Sequence, residues 1–179
     1  GGEQVPWRGA ERARQRENMA EASSSSRVAL VAGASGLVGR ELLQLLLTSP
    51  DYGVVHSLRR RAGAGASSSK LRELVVSFDD LPALPACDDV FIALGTTIKV
   101  AGSEAAFKRV DYDYVVAVAA AARQAGATRL GIVSALGADA ESRVFYNRVK
   151  GEMERAVNGL GYESVVLARP SLLLGDREA

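Results

Sequence analysis

The chain has little cysteine, little net charge and no long apolar run. A single cysteine, Cys87, excludes an intrachain disulfide, and no histidine, cysteine and aspartate cluster has metal-ligand spacing, so we predict no metal site. Lys plus Arg number 22 against 21 Asp plus Glu, which leaves no global field to attract nucleic acid or an anionic membrane. No apolar stretch approaches the roughly 20 residues of a membrane span, and the N-terminus lacks the apolar core of a signal peptide. These absences predict a cytoplasmic protein without a nucleic-acid or membrane partner.

Residues 1–26 differ in composition from the rest of the chain. They carry several Arg and Glu, few aliphatic side chains and a serine run at residues 23–26, which is typical of disorder. The whole chain of 179 residues is 47% hydrophobic, enough for one well-buried domain and too small for two. We therefore predict a disordered extension at residues 1–26, followed by one domain at residues 27–179.

Apolar runs and helical stretches alternate along residues 27–179. Runs rich in Val, Ile and Leu predict buried parallel strands at Val28–Ala32, Val54–Leu58, Leu74–Ser77, Val90–Leu94, Leu130–Val133 and Ser164–Ala168. Helical spacing predicts helices at Leu37–Leu47, Glu104–Ala125 and Tyr146–Val157, the second with an apolar stripe of Val110, Tyr114, Val118 and Ala122. The alternation predicts an α/β fold with a Rossmann-type doubly wound, mostly parallel sheet of about six strands.

The first predicted strand runs into three glycines spaced by three residues, Gly33, Gly36 and Gly39, and a predicted helix follows directly. In a dinucleotide cradle the first glycine makes a tight turn, the second lets backbone N–H groups approach a pyrophosphate, and the third allows the helix to pack closely on the strand. The phosphate charge then lies at the helix N-terminus. An ordinary strand-to-helix turn is the alternative interpretation, because a glycine triplet alone is weak evidence.

Residues at the ends of the next strands indicate which dinucleotide binds. Twenty residues after the last glycine, an arginine run begins with Arg59 and Arg60, where an NAD site places an acidic residue. Guanidinium groups there favour the 2′-phosphate of NADP(H). Asp79 follows the third strand, near the expected adenine amino group, and after the fourth strand Gly95 permits close approach while Thr96 offers a hydrogen-bond donor. A solvated basic loop and turn-capping side chains are the alternatives.

The strongest candidate for chemistry is the pair Tyr146 and Lys150, which lie four residues apart near the start of a predicted helix and so share one face. An adjacent ammonium favours the ionised form of a phenol. Ser134 ends the strand that precedes this helix. We predict that Tyr146 protonates a substrate carbonyl oxygen as hydride arrives from NADPH, that Lys150 eases this ionisation, and that Ser134 holds the oxygen.

These residues give the chain a family resemblance that runs from about residue 27 to the end. The glycine motif, Ser134 and Tyr146-x-x-x-Lys150 resemble a short-chain dehydrogenase/reductase of the atypical branch. Within that branch, further segments resemble the Tat-interacting-protein family of NADPH-binding oxidoreductases: Leu94–Thr97, Val110–Asp111, Gly137–Asp139, Tyr146–Glu152, Arg169–Pro170, Leu173–Leu174 and Asp176–Arg177.

The resemblance implies an NADPH-binding Rossmann fold with a particular set of cofactor contacts. It implies that the pyrophosphate is held by Ser35, Gly36, Leu37 and Val38, and the 2′-phosphate by Arg59 and Arg60. It also implies that Leu94 and Gly95 line the dinucleotide and that Lys150 bonds the nicotinamide ribose. Backbone near Leu173 would contact the nicotinamide side, and Pro170 is a further cofactor-binding residue.

The function expected from these residues is reduction of a small carbonyl compound with NADPH. Members of this superfamily usually continue beyond the position of Pro170 with a segment that closes the substrate pocket. This chain ends nine residues later at Ala179, so we expect a truncated substrate region. The alternative is a dinucleotide-sensing regulatory protein that binds NADPH and a protein partner with little turnover. A nucleotide-sugar epimerase is less favoured because the sugar-binding C-terminal portion is not in the sequence.

Overall fold

Six parallel strands form the sheet that organises this protein. In the computed structural model, which describes residues 26–62 and 68–171, the strands are β1 (Arg27–Ala32), β2 (Tyr52–Arg59), β3 (Leu71–Val75), β4 (Asp89–Ile92), β5 (Arg129–Val133) and β6 (Ser164–Ala168). Their order across the sheet is β3-β2-β1-β4-β5-β6. The predicted doubly wound Rossmann-type fold is confirmed, since the strand order reverses beside β1. The disorder predicted for residues 1–26 lies outside the described residues, apart from Ser26.

Helices cover both faces of the sheet. They are α1 (Leu37–Thr48), α2 (Ile98–Ala101), α3 (Glu104–Lys108), α4 (Val115–Gln124) and α5 (Phe145–Asn158), with a wide π-helical turn (Arg109–Tyr114) between α3 and α4. α1 connects β1 to β2 on one side of β1, whereas α4 and α5 connect β4, β5 and β6 on the other side. With right-handed crossovers, α1 therefore lies on one face of the sheet and α4 and α5 lie on the other. None of these helices in the described part of the chain is long and apolar enough to cross a membrane.

Each face of the sheet has its own apolar core. Leu30 and Val31 of β1 are both fully buried and point to opposite faces, as neighbours on a strand do. Leu30 belongs to the larger core under α4 and α5, and Val31 to the smaller one under α1. Cys87 is buried in the larger core, and this burial raises the pKa of its thiol to about 11. We conclude that Cys87 is a small packing residue rather than a reactive thiol.

The third strand lies earlier in the chain than predicted. β3 begins at Leu71, three residues before the predicted start at Leu74, because Leu71 pairs with Val55 of β2 and the register continues to Arg59 and Val75. The predicted strand Leu74–Ser77 therefore overlaps β3 only in part. Pairing with β2, rather than local apolar content, determines where the strand starts.

The long helix predicted at Glu104–Ala125 is broken by the wide turn. The turn brings Asp111 and Val115 into the buried face, whereas Val110 and Tyr114 of the predicted stripe are only half-buried. A π-helical turn carries more residues than an α-helical one and so shifts the face that follows. A carboxylate thus replaces an apolar side chain on the inner face of the helix.

One part of the sheet has an open apolar surface. On the α1 side of β4 to β6 there is a groove of about 500 Å³, lined by residues that include Phe91, Gly131, Val133 and Val166. Val166 is 62% exposed there. The groove begins beside Val38 of α1 and extends along the face of the sheet to Arg27 and Ser164 at the amino ends of β1 and β6.

Candidate functional site

Two glycines of the turn between β1 and α1 are required by the fold itself. Gly33 has a φ of 91°, and a Cβ added there would lie 2.5 Å from the carbonyl carbon of Ala93. A Cβ on Gly39 would lie 2.0 Å from the carbonyl oxygen of Gly33. A side chain at either position would collide with backbone, so these glycines make the turn and the close helix packing.

Gly36, in contrast, is not required by packing within the protein. An added Cβ would meet the Gly33 carbonyl oxygen at 3.5 Å, an ordinary contact, and both Ser35 and Gly36 are exposed. Gly36 caps α1 without a side-chain hydrogen bond, and the first turn of α1 carries no acidic residue. The first N–H groups of α1, including those of Leu37 and Val38, thus lack helical acceptors and have no capping side chain. This arrangement fits a dinucleotide pyrophosphate.

The two arginines predicted to bind a 2′-phosphate have different surroundings. Arg59, the last residue of β2, forms an ion pair with Glu73 of β3. Arg60 is exposed just beyond the strand. A phosphate that binds Arg59 would therefore share its guanidinium with Glu73, whereas Arg60 is openly available. Glu73 was not predicted from the sequence, since its proximity to Arg59 depends on the register of β2 against β3.

Asp79, the predicted adenine contact, already accepts a hydrogen bond. The hydroxyl of Tyr114 donates to Asp79 Oδ1 at 2.7 Å, and this bond raises the pKa of Tyr114 because it stabilises the protonated phenol. The Tyr114 ring also packs against Phe78, with centroids 5.6 Å apart. An adenine amino group at Asp79 would lie beside Tyr114, a neighbour that local sequence patterns do not predict.

Tyr146 and Lys150 lie one turn apart at the start of α5, as predicted. The ring of Tyr146 packs against the buried Phe107, with centroids 5.2 Å apart. The Lys150 ammonium lies 2.6 Å from Asp111 Oδ1. A Cβ on Gly95 would be 3.9 Å from the Lys150 Nζ atom, so the end of β4 and the start of α5 meet here. In the sequence Asp111 belongs to a family motif, but local patterns assign it no role.

Asp111 also anchors the loop that follows β4. Its Oδ2 atom accepts a hydrogen bond from the Thr96 backbone N–H at 2.9 Å. Burial raises the pKa of Asp111, while the Lys150 ammonium and the Thr96 N–H act in the opposite direction. Leu94, Gly95 and Thr96 are thereby brought beside Lys150 at the carboxyl edge of the sheet.

Ser134 has a buried partner in this structure. Ser134 is 5% exposed, and its hydroxyl donates to Glu154 Oε1 at 2.5 Å. Arg169 Nε donates to the same carboxylate oxygen at 2.9 Å, and a second Arg169 nitrogen pairs with the other. For Ser134 to hold a substrate oxygen, as predicted, this hydrogen bond would have to be exchanged. The geometry supports a role for Ser134 in joining β5, α5 and the end of β6.

The Glu154 carboxylate should make stability depend on pH. Burial favours its neutral form, but hydrogen bonds from Arg169 and Ser134 outweigh burial and lower the pKa of Glu154. A lowered folded-state pKa gives stability that is present above the unfolded value of about 4.3 and lost as pH falls through the folded value. We expect the unfolding free energy of Glu154→Gln to fall less steeply below about pH 4.3 than that of the parent protein, measured by urea unfolding.

Glu152→Gln is the matched control for this measurement. It makes the same substitution on α5 at a half-exposed site paired with Lys108. The acid slope of Glu154→Gln should differ from that of the parent protein by more than the acid slope of this control does. Equal acid slopes for Glu154→Gln and the parent protein would contradict the assigned role of Glu154.

The remaining predicted cofactor residues lie after β6. The Pro170 carbonyl accepts a hydrogen bond from the Leu136 N–H at 3.1 Å, so Pro170 lies beside the loop that follows β5. Leu173 lies outside the described residues. The structure thus brings the glycine turn, the loop after β4 and the start of α5 to one edge of the sheet, with Pro170 beside the loop that follows β5.

Comparisons with known proteins agree with this geometry. A family described as NAD(P)H-binding matches residues 33–166. The protein fmp52, mitochondrial, of Emericella nidulans is 38% identical over 160 residues, covering 84% of this chain and 68% of that protein. FMP52, mitochondrial, of Eremothecium gossypii is 38% identical over 152 residues, with the same two shares. MoeE5 in complex with UDP-glucose and NAD has a TM-score of 0.65 at 21% identity, covering 79% of this chain. The matched part of the chain spans 53% of the length of MoeE5.

The predicted cytoplasmic location is wrong by this comparison, because the curated relatives are named as mitochondrial proteins. The prediction relied on a single cysteine and on the lack of a membrane-span or signal-peptide pattern in the sequence. Those features are equally compatible with a mitochondrial protein, so composition had no power to separate the two compartments.

Proposed function

The chain belongs to the NAD(P)H-binding family and to the family of the FMP52 proteins, and from this premise we propose that it binds NADPH and reduces a small carbonyl compound. Membership confirms the resemblance to atypical short-chain dehydrogenase/reductases. One observation carries the cofactor assignment: Gly36 is exposed, has room for a side chain, and precedes an uncapped helix N-terminus. A glycine that packing does not require is explained by the close approach of a pyrophosphate.

Each binding group of the chain has a definite task in this proposal. The N–H groups of Leu37 and Val38 hold the pyrophosphate at the start of α1. Arg60, with Arg59 on release from Glu73, binds the 2′-phosphate through charge-assisted hydrogen bonds. Lys150 donates to the hydroxyls of the nicotinamide ribose. NADPH, when bound, supplies the hydride.

The proton is supplied by the chain itself. Tyr146 lies one helical turn before Lys150, so both side chains project from the same face of α5. The Tyr146 hydroxyl gives its proton to the carbonyl oxygen of the substrate, and the nearby ammonium stabilises the phenolate left behind. The phenolate then recovers a proton from solvent. Phe107 restrains the ring from its buried side.

Nucleotide preference tests the cofactor proposal. We expect NADPH to bind more tightly than NADH by about tenfold or more, because an arginine–phosphate hydrogen bond contributes about 1.5–3 kcal/mol. Arg60→Ala should remove most of that preference, and Arg59→Ala less of it, since Arg59 must leave Glu73 to reach the phosphate. Isothermal titration calorimetry with both nucleotides measures the preference.

Arg72→Ala is the control for charge alone. Arg72 is an exposed arginine on β3 whose guanidinium donates to the Ser69 and Leu71 carbonyls. Its replacement removes one positive charge and should leave the preference for NADPH unchanged. Tighter binding of NADH than of NADPH by the parent protein would refute the assignment of the arginines.

A second candidate function is a dinucleotide sensor that binds NADPH and a protein partner with little turnover. The observation that favours it is the Ser134 hydroxyl, which donates to Glu154 and so is not presented to a substrate. In the sensor, Tyr146 serves as a hydrogen-bond partner of the ribose. Tight NADPH binding without NADPH oxidation across a panel of aldehydes and ketones would favour the sensor over the reductase.

A further inference from the structure

The buried ion pair between Asp111 and Lys150 is an unusual feature of the site. The side chains are 1% and 4% exposed, and the ammonium lies 2.6 Å from the carboxylate. An isolated charge at this depth would be strongly unfavourable, so each group depends on the other. The second carboxylate oxygen is taken by the Thr96 N–H at 2.9 Å. The carboxylate therefore connects the loop after β4 to α5.

The wide turn accounts for how a carboxylate reaches this position. Asp111 lies within the π-helical turn Arg109–Tyr114, which packs against α5. π-helical turns are rare in proteins, and those that occur are often found at functional sites. Here the turn directs Asp111 inward, while Asp113 of the same turn is exposed.

The ion pair lies directly beneath an open part of the surface. Gly95 is exposed, and a Cβ there would be 3.4 Å from Asp111 Oδ1 and 3.9 Å from Lys150 Nζ. A lysine ammonium has three N–H donors. The ammonium lies at ion-pair distance from Asp111 and has N–H donors to offer a ligand that approaches over Gly95.

We propose that Asp111 is a positioning residue that holds the Lys150 ammonium beneath Gly95, ready to donate to the ribose hydroxyls of the dinucleotide. This inference rests on the proposed function. A lysine side chain is long and flexible, and fixing its end before the ligand arrives removes an ordering cost from binding. The carboxylate also neutralises the ammonium, which allows the lysine to stay buried in the free protein.

The test combines nucleotide affinity with a spectroscopic signal from Lys150. Ammonium groups of ¹⁵N-labelled lysine are followed by NMR, and the Lys150 signal is assigned by its loss in Lys150→Arg. In the parent protein we expect this signal to shift when NADP⁺ is added. We expect Asp111→Asn to weaken NADP⁺ binding by about tenfold or more, the equivalent of one lost charge-assisted hydrogen bond.

Two further variants separate positioning from simple structural support. Asp111→Glu keeps the charge and should bind NADP⁺ more tightly than Asp111→Asn. Asp113→Asn makes the same substitution at an exposed site two residues away and should bind like the parent protein. Circular dichroism and thermal melting report whether each variant folds.

Several results would overturn the inference. One is NADP⁺ binding by folded Asp111→Asn that equals the parent protein, and another is equal weakening in Asp111→Asn and Asp111→Glu. If Asp111→Asn does not fold, the NMR spectrum of the parent protein is the test. A Lys150 signal that does not shift at saturating NADP⁺ would show that Lys150 is not a positioned donor. A parent protein that binds neither NADP⁺ nor NADPH would refute the proposed function as well, which distinguishes the two failures.

Discussion

Tyr146→Phe is expected to reduce carbonyl turnover by about 10² to 10⁴-fold while NADPH affinity stays close to that of the parent protein. The substitution removes only the hydroxyl, so the ring still packs against Phe107 and α5 keeps its start. A proton donor acts in the transition state, which is why its loss lowers turnover rather than cofactor binding. Oxidation of NADPH in the presence of a carbonyl substrate, followed by absorbance, measures the effect.

Tyr112→Phe is the matched control for this variant. Tyr112 is a half-buried tyrosine of the wide turn, and its ring lies 5.3 Å from the Lys108 ammonium. Its hydroxyl has no part in the proposed proton transfer, so turnover should be unchanged. Parent-like turnover by Tyr146→Phe would exclude Tyr146 as the proton donor.

Gly39→Ala is expected to lower the stability of the fold, whereas Gly36→Ala is expected to weaken NADPH binding. Gly39→Ala places a Cβ 2.0 Å from the Gly33 carbonyl oxygen, and because backbone must then move we expect a loss of about 3 kcal/mol in unfolding free energy. Gly36→Ala places its Cβ at an ordinary 3.5 Å and should change stability by less than about 1 kcal/mol. It should instead weaken NADPH binding by about tenfold or more, because the methyl group stands where the pyrophosphate approaches.

Urea unfolding and calorimetric titration of the same two variants measure the contrast. Each variant is the control for the other, since both add one methyl group to the same glycine motif. A stable Gly36→Ala that binds NADPH as tightly as the parent protein would remove the main support for the cofactor site. A Gly39→Ala as stable as the parent protein would show that the turn can widen at little cost.

Local patterns in the sequence were enough to predict the fold. Short apolar runs alternating with helical spacing predicted strands β1, β2, β4, β5 and β6 close to their observed positions. The start of β3 was predicted three residues late, because strand pairing with β2 decides it. The glycine spacing and the Tyr146-x-x-x-Lys150 spacing are also local, and the structure brings both to one edge of the sheet.

Local sequence patterns could not predict which side chains are the partners of the candidate site residues. Glu73 beside Arg59, Glu154 beside Ser134 and Asp111 beside Lys150 all come from different elements of the fold. Helical periodicity predicted Val110 in the apolar stripe of its helix, and the wide turn placed Asp111 on the buried face instead. Composition likewise predicted the wrong compartment.

The sequence by itself determined the order of the elements, the Rossmann class and the three-glycine turn, because these depend on periodicities and backbone constraints within a few residues. Only the tertiary structure decided which charges meet. Register and helix phase set those contacts, and a shift of one residue turns a side chain to the opposite face of a strand. The tertiary structure therefore distinguished Gly36, open to a ligand, from Gly39, closed by backbone, and joined Asp111 to Lys150.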